Sequence, residues 1–218
     1  MSIRVVAIDD HSVFREGLRL VLDQYEDIEL VGEAGNGREG IEVVAREKPD
    51  VVIMDVNMPG LNGIEASRKL LSADSDVKIL ILSAYSNRRF VTELFRAGVR
   101  GYILKESAGE EVIRAIIAVA GGDSYICPKI ANVIIKDYAE GGGIDLGKTA
   151  IDSLTIKERE LLQLLAEGIS TKEVAVLLSV SIKTVDARRR SIMTKLGISS
   201  MAKLTKFAIR EGITSLEF

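Results

Sequence analysis

The sequence predicts an α/β module followed by a small all-α module, and three observations carry that reading. Short apolar runs alternate five times with segments of helical periodicity over residues 1–121, the pattern of a doubly wound (βα)5 parallel sheet. Residues 151–218 instead carry helix-start signals, each followed by an apolar-periodic segment, which read as a four-helix domain. Between them, 122–150 ends in a glycine-rich, polar stretch with the composition of a linker.

In chain order, the strands fall at Arg4–Ile8, Glu29–Glu33, Val51–Met54, Lys78–Leu82 and Arg100–Leu104. Val51-Val52-Ile53-Met54 is apolar throughout, as expected of a strand buried on both faces. Helices are expected near 12–24, 37–47, 62–72, 87–97 and 109–120, with glycines such as Gly98 at their ends. Strands at this spacing require right-handed crossovers, so all five run parallel and their carboxyl ends share one edge.

Composition sets bounds on function. The chain has 218 residues, 47% hydrophobic and 28% charged, and no apolar run of membrane-spanning length. Residues 1–150 carry 18 Lys and Arg against 24 Asp and Glu, a net −6, whereas 151–218 carry 11 against 8, a net +3. An acidic front and a basic back suit two modules with different partners. A lone cysteine, Cys127, allows no internal disulfide, and with no signal-peptide pattern at MSIRVV a cytoplasmic location is expected. A single histidine, His11, argues against a His-rich zinc site.

The chemistry lies at the strand ends. The first strand ends in Asp9-Asp10, the third in Asp55 before Pro59-Gly60, the fourth in Ser83 and the fifth in Lys105. Three carboxylates at one edge repel unless a divalent cation sits among them, and hard oxygen ligands favour Mg²⁺. An ammonium and a hydroxyl beside them suit phosphoryl oxygens. The set reads as a phosphoryl-acceptor site.

Asp9-Asp10, Asp55, Ser83 and Lys105 together resemble the receiver domain of two-component response regulators over about residues 3–121. That resemblance implies a flavodoxin-like fold in which Asp55 accepts a phosphoryl group from the phosphohistidine of a sensor histidine kinase. It implies that Asp9, Asp10, Asp55 and the backbone carbonyl of Asn57 hold Mg²⁺, and that Lys105 pairs with a phosphate oxygen. Ser83 would swing toward the phosphate while the aromatic Tyr102 turns inward. Glu106 follows Lys105 here, where many receivers have a proline in a cis peptide. A cis bond to a non-proline costs about 3 kcal/mol, and the geometry there is left open.

In the linker, Pro128–Ala139 carries Ile130, Val133, Ile134 and Tyr138 near helical spacing, a candidate short helix, and Gly141-Gly142-Gly143 reads as a hinge. Cys127, flanked by Ile126 and Pro128, has no adjacent basic or histidine residue and reads as a packing residue.

In the second module, Thr155-x-x-Glu158 and Ser170-x-x-Glu173 are capping boxes, Ser181 opens a third helix that Gly197 stops, and a fourth runs from about Ser199 to Arg210. Leu161, Leu162, Leu165, Val174, Leu177, Leu178, Val185, Ile192, Met193 and Leu196 are its expected core. The second and third helices, joined by Ser179-Val180-Ser181, fit a helix-turn-helix. The third then presents Lys183, Asp186, Ala187, Arg190 and Thr194 to a major groove, with Arg190 able to fork onto guanine. Lys172, Arg188, Arg189 and Lys195 are placed to meet phosphates.

The stretch LTIKERELLQLLAEGISTKEVAVLLSVSIKTVDARRRSIMTKLGI, including Lys183-Thr184-Val185, resembles the LuxR-type (NarL/FixJ) DNA-binding domain over about 153–211. The resemblance implies double-stranded DNA as partner, contact through Thr184 and its neighbours, and a homodimer paired through the fourth helix at Met201 and Leu204. Ile156 replaces a common proline, and Arg188 stands where histidine is usual.

The expected function is therefore a phosphorylation-controlled transcriptional regulator and not an enzyme. An aspartyl-phosphate phosphohydrolase is the alternative, but such enzymes usually need a carboxylate two residues beyond the nucleophile, where Asn57 stands. A nucleotide-binding regulator is set aside on the expectation that no glycine-rich phosphate loop is present.

Overall fold

The computed structural model of the chain describes residues 2–84, 86, 88–107, 109–139 and 150–214. Six parallel strands form one sheet: β1 (Ile3–Ile8), β2 (Ile28–Ala34), β3 (Val51–Met54), β4 (Ile79–Ser83), β5 (Gly101–Leu104) and β6 (Tyr125–Ile126). Their order is β2-β1-β3-β4-β5-β6. The crossovers are α1 (Ser12–Leu22), α2 (Gly37–Glu47), α3 (Gly63–Ala73), α4 (Arg88–Ala97) and α5 (Gly109–Ala120). All four residues of β3 are buried, as a central strand covered by helices on both faces must be. The strand order reverses between β1 and β3, and doubly wound sheets open their ligand crevice at such a switch point.

Register brings the polar residues together. Ile8 pairs with Met54, Met54 with Ile81, and Ser83 with Leu104. The next residues along, Asp9, Asp55 and Lys105, therefore emerge side by side. The expected strands and helices agree with the observed ones within one or two residues. Asn62, expected inside a helix, is the N-cap of α3, its side chain accepting from the Glu65 N–H.

Sequence reading missed β6. Two residues are too few to show a period, and their pairing comes wholly from β5, where Tyr125 meets Gly101 and the Cys127 N–H donates to the Tyr102 carbonyl. Cys127 is buried, as expected of a packing residue. The candidate linker helix is present as α6 (Pro128–Ala139), with Ile130 buried and Ile134 packed against the core of the first module. The Tyr138 side chain and the Gly141-Gly142-Gly143 hinge lie outside the described residues.

The second module has its own core and consists of α7 (Ile156–Ala166), α8 (Thr171–Leu177), α9 (Ile182–Leu196) and α10 (Met201–Arg210), after one 3₁₀ turn at Ala150–Ser153. Both expected capping boxes form, at Thr155/Glu158 and Ser170/Glu173. Gly197 closes α9 in the left-handed conformation, at φ 65°. The turn between α8 and α9 places Ser179 at φ 51°. One core assignment fails: Leu177 is 47% exposed, because it lies beside Val176 on the outer face of α8, while Val174, Ala175 and Leu178 take the inner face. No helix among the described residues is long and apolar enough to cross a membrane.

Gly63 is the tightest point of the first module. A Cβ there would lie 1.9 Å from the Asp55 carbonyl oxygen, a backbone atom that cannot step aside. Gly63→Ala is therefore expected to destabilise the chain by roughly 1–3 kcal/mol through overpacking and to displace the Asp55 backbone. Urea unfolding measures the first effect and amide chemical shifts around Asp55 the second.

Candidate functional site

The carboxyl edge of the sheet gathers its charges within hydrogen-bond distance. The Lys105 ammonium lies 2.6 Å from Asp9 Oδ2 and 3.0 Å from Asp55 Oδ2, so one cation bridges the two central carboxylates. The Phe14 ring lies beneath it, 4.8 Å from the ammonium to the ring centroid. Asp55 also accepts from the Val56 N–H at 2.7 Å, which fixes the rotamer of the carboxylate. The His11 N–H donates to Asp9 Oδ1 at 2.9 Å, and the imidazole Nδ1 lies 3.0 Å from Asp10 Oδ1.

Burial dominates the electrostatics. It pushes the Asp55 carboxyl up to about 6; Lys105 opposes that rise and neighbouring Asp9 adds to it. Burial likewise pushes the Tyr102 phenol up to about 12, against a hydrogen bond with Ser83. Tyr102 and Ser83 are both wholly buried, so the aromatic already points inward. The Lys105–Glu106 peptide is trans.

The oxygens here fit a hard divalent cation. Ligand atoms of Asp9, Asp10, His11 and Asp55 lie within 4.8 Å of one another. The Asp10 Oδ1 atom is buried without a hydrogen bond of good geometry, an orphan that a cation would satisfy. Carboxylate oxygens with solvent access favour Mg²⁺ over softer metals. The site opens through a cavity of about 680 Å³ between α1 and α5, lined by Phe14, Leu18, Val21 and Val112 and reaching Asp55, Asn57 and Lys105.

A second polar region, which sequence reading missed, joins the modules directly beyond the Asp55 loop. The Gln163 amide donates to the Met58 carbonyl at 2.8 Å and accepts from the Asn62 N–H at 2.9 Å. Glu167 accepts from the Gly60 N–H at 3.0 Å, and the Asn62 amide donates to the Ile213 carbonyl at 3.0 Å. Lys69 and Arg38 pair with Glu160, and Arg159 with Glu65 at 3.4 Å. Gln163 and Asn62 each satisfy a local pattern, helix interior and helix cap, so nothing in the sequence marks them as partners 101 residues apart.

On α9, Lys183, Ala187, Arg190 and Thr194 are exposed, on the face expected for DNA, and Asp186 is half-buried. Asp186 pairs with Arg189 at 3.0 Å, and its carbonyl accepts from Arg190 Nε at 3.3 Å. Thr184 holds the Ser181 cap hydroxyl at 2.9 Å. Lys172 is exposed on α8, and Arg188 turns toward the first module. Lys195, expected to flank DNA, instead bonds Glu158 at 2.7 Å, because α9 packs its carboxyl-terminal half on the start of α7. Burial raises the Glu158 carboxyl, but hydrogen bonds from Lys195, Ser191 and Thr155 outweigh it and leave it near 2.

The expectation that no phosphate-loop string is present fails on the letters. Gly35-Asn36-Gly37-Arg38-Glu39-Gly40 spells G-x-G-x-x-G between β2 and α2, and Gly142–Thr149 spells the P-loop string. In the first, packing accounts for two of the glycines. A Cβ at Gly37 would meet the Leu61 carbonyl at 2.4 Å and one at Gly40 would meet Ile8 at 2.5 Å. The Asn36 side chain accepts from the Arg38 and Glu39 N–H groups that a pyrophosphate would need. The second lies outside the described residues.

Comparison with known proteins agrees with this geometry. Residues 5–117 match the response regulator receiver domain and residues 152–208 the luxR family of bacterial regulatory proteins. The chain is 37% identical to the oxygen regulatory protein NreC of Staphylococcus carnosus, over 95% of this chain and 97% of that one. It is 34% identical to the transcriptional regulatory protein DegU of Brevibacillus brevis, over 97% and 94%. Among solved structures it resembles the RcsB response regulator of Salmonella typhimurium at 27% identity and a TM-score of 0.60, covering 94% of this chain and 97% of that one. RcsB is also solved bound to DNA.

Metal-free protein offers a direct test of the Asp55 environment. The carboxyl rises from an ordinary 3.8 to about 6 on folding, so its contribution to stability is fully present below about pH 4 and lost as pH rises through about 6. In EDTA, Asp55→Asn removes a buried charge while Lys105 keeps Asp9. The variant is expected to be more stable than the parent by roughly 2–3 kcal/mol near pH 7.5, and by little near pH 4. Chemical denaturation at the two pH values checks the difference.

Proposed function

This chain belongs to the response-regulator family that joins a receiver domain to a LuxR-type DNA-binding domain, and from that premise we propose how its residues serve phosphorylation-controlled binding of DNA. Asp55 is the phosphoryl acceptor. The observation that carries this assignment is the carboxylate–ammonium cluster of Asp9, Asp55 and Lys105 at the sheet's switch point, open to a donor through the cavity beside Phe14. The donor is the phosphohistidine of a sensor histidine kinase. Asp9, Asp10, Asp55 and the Asn57 carbonyl hold Mg²⁺, which when bound neutralises charge on the phosphoryl oxygens. Lys105 exchanges one carboxylate partner for a phosphate oxygen, and Ser83 leaves Tyr102 to donate to another.

That rearrangement adds charge at the head of the β3–α3 loop, the same loop whose Met58, Gly60 and Asn62 hold Gln163 and Glu167 of the second module. Shifting the loop loosens this seam and changes how two DNA-binding domains pair on two half-sites, with the exposed face of α10 at Met201 as the dimer surface; Leu204, expected there too, is wholly buried and instead packs in the module's own core. Because Lys183, Ala187 and Arg190 are exposed in the docked arrangement, the control acts on domain placement and pairing more than on covering α9. Base edges are read by Lys183, Asp186, Ala187 and Arg190. Lys172, Thr184, Arg188 and Arg189 meet the backbone. The setting of this exchange is the cytoplasm.

Incubation with a small phosphodonor such as acetyl phosphate and Mg²⁺ is expected to label the chain stoichiometrically and Asp55→Asn not at all. Continuous phosphoester turnover would instead mark a phosphohydrolase. Arg190→Ala is expected to weaken binding to DNA selected from a random pool and to relax choice at one base step by about 1–3 kcal/mol. Footprints unchanged in sequence preference would refute that role.

A further inference from the structure

Where the two modules meet, Arg38 and Lys69 of the receiver and Lys157 and Arg188 of the DNA-binding domain line one crevice of about 220 Å³. Among the described residues the only acid on its wall is Glu160, whose side chain is 5% exposed; one oxygen is ion-paired with Arg38 without a hydrogen bond of good geometry, and the other is bound by Lys69 at 2.7 Å. Among the described residues Lys157 and Arg188 have no carboxylate partner. Four cations around one acid leave a net charge of +3 on the lining. Lys157 is exposed and Arg188 half-buried, so this excess of positive charge faces solvent and attracts an anion into the crevice. We propose that this interdomain crevice is a binding site for a compact phosphate-bearing anion, such as an inorganic polyphosphate or the phosphate chain of a nucleotide.

The helix N-terminus of α2 is not the ligand's seat, since Asn36 already caps it. Side-chain cations hold the anion instead: Lys157 and Arg188 from one side, with Lys69 and Arg38 sharing it with Glu160 from the other. Because the four come from both modules, the anion binds the docked arrangement and draws Arg188 away from DNA. A backbone phosphate of DNA offers the same chemistry, and the experiment separates the two sources.

Titrating the unphosphorylated full-length chain with sodium tripolyphosphate in a calorimeter is expected to give one site per chain. Lys157→Gln, at an exposed position, and Lys69→Gln each weaken it roughly ten-fold, the loss of one charge-assisted contact, while Lys206→Gln on α10 leaves it unchanged. Absence of a site, or equal weakening in all three variants, overturns the proposal. In a second arm, tripolyphosphate weakens binding to DNA selected from a random pool by the parent, and does so less in Lys69→Gln. Should Lys69→Gln itself weaken DNA binding while tripolyphosphate finds no site, the cations serve the DNA backbone and the free-anion site is refuted. The calorimetric arm involves neither Asp55 nor DNA, so its failure leaves the regulator reading intact.

Discussion

One ammonium holds the acidic edge together. Parallel strands deliver Asp9 and Asp55 to adjacent positions at the switch point of the sheet, and both are buried. Two buried carboxylates repel, and the chain tolerates them because Lys105 reaches both, braced against Phe14. Even so, burial outweighs the lysine and lifts Asp55 to about 6. The site is therefore held under electrostatic tension in its unmodified form. In the role proposed for Asp55 that tension would make the site responsive, because a new charge there would redistribute Lys105, Ser83 and the loop that follows.

The loop from Met58 to Asn62 does two jobs with one short run of backbone. Gly63 closes it against the Asp55 carbonyl so tightly that no side chain fits. Its other face gives hydrogen-bonding groups to Gln163, Glu167 and Ile213 of the second module. Each such bond contributes about 1 kcal/mol net, so the seam adds up to a few kcal/mol. A single phosphorylation can shift a balance of that size. The two apolar cores remain separate clusters. A polar, modest interface is what a reversible interdomain contact requires.

Local rules explain most of what sequence made visible. Five strands, ten helices and both capping boxes obey short-range periodicity and capping chemistry, and all were legible. The acid pair, Asp55, Ser83 and Lys105 were legible as well, because parallel topology turns positions at successive strand ends into neighbours. Three departures show where local rules stop. The two-residue β6 exists only through pairing with β5, too short to leave a pattern. Leu177 belongs to an all-apolar run in which Val174, Ala175 and Leu178 take the inner face of α8 and Val176 and Leu177 the outer. Lys195 looked like one more basic residue on a DNA flank until packing of α9 on α7 set it against Glu158.

Strand alternation and helix capping act over a few residues, so the groups at the carboxyl edge of the sheet and the helices of the DNA-binding module could be read along the chain. Docking of those elements set the rest: Lys105 bridges Asp9 and Asp55, Tyr102 lies inward, and Gln163 and Asn62 join the modules. The same holds for Arg38, Lys69, Lys157 and Arg188, which converge on Glu160 from four separate elements. These contacts lie between residues far apart in the chain, and their distances depend on how rigid elements dock. No local spacing encodes such a distance.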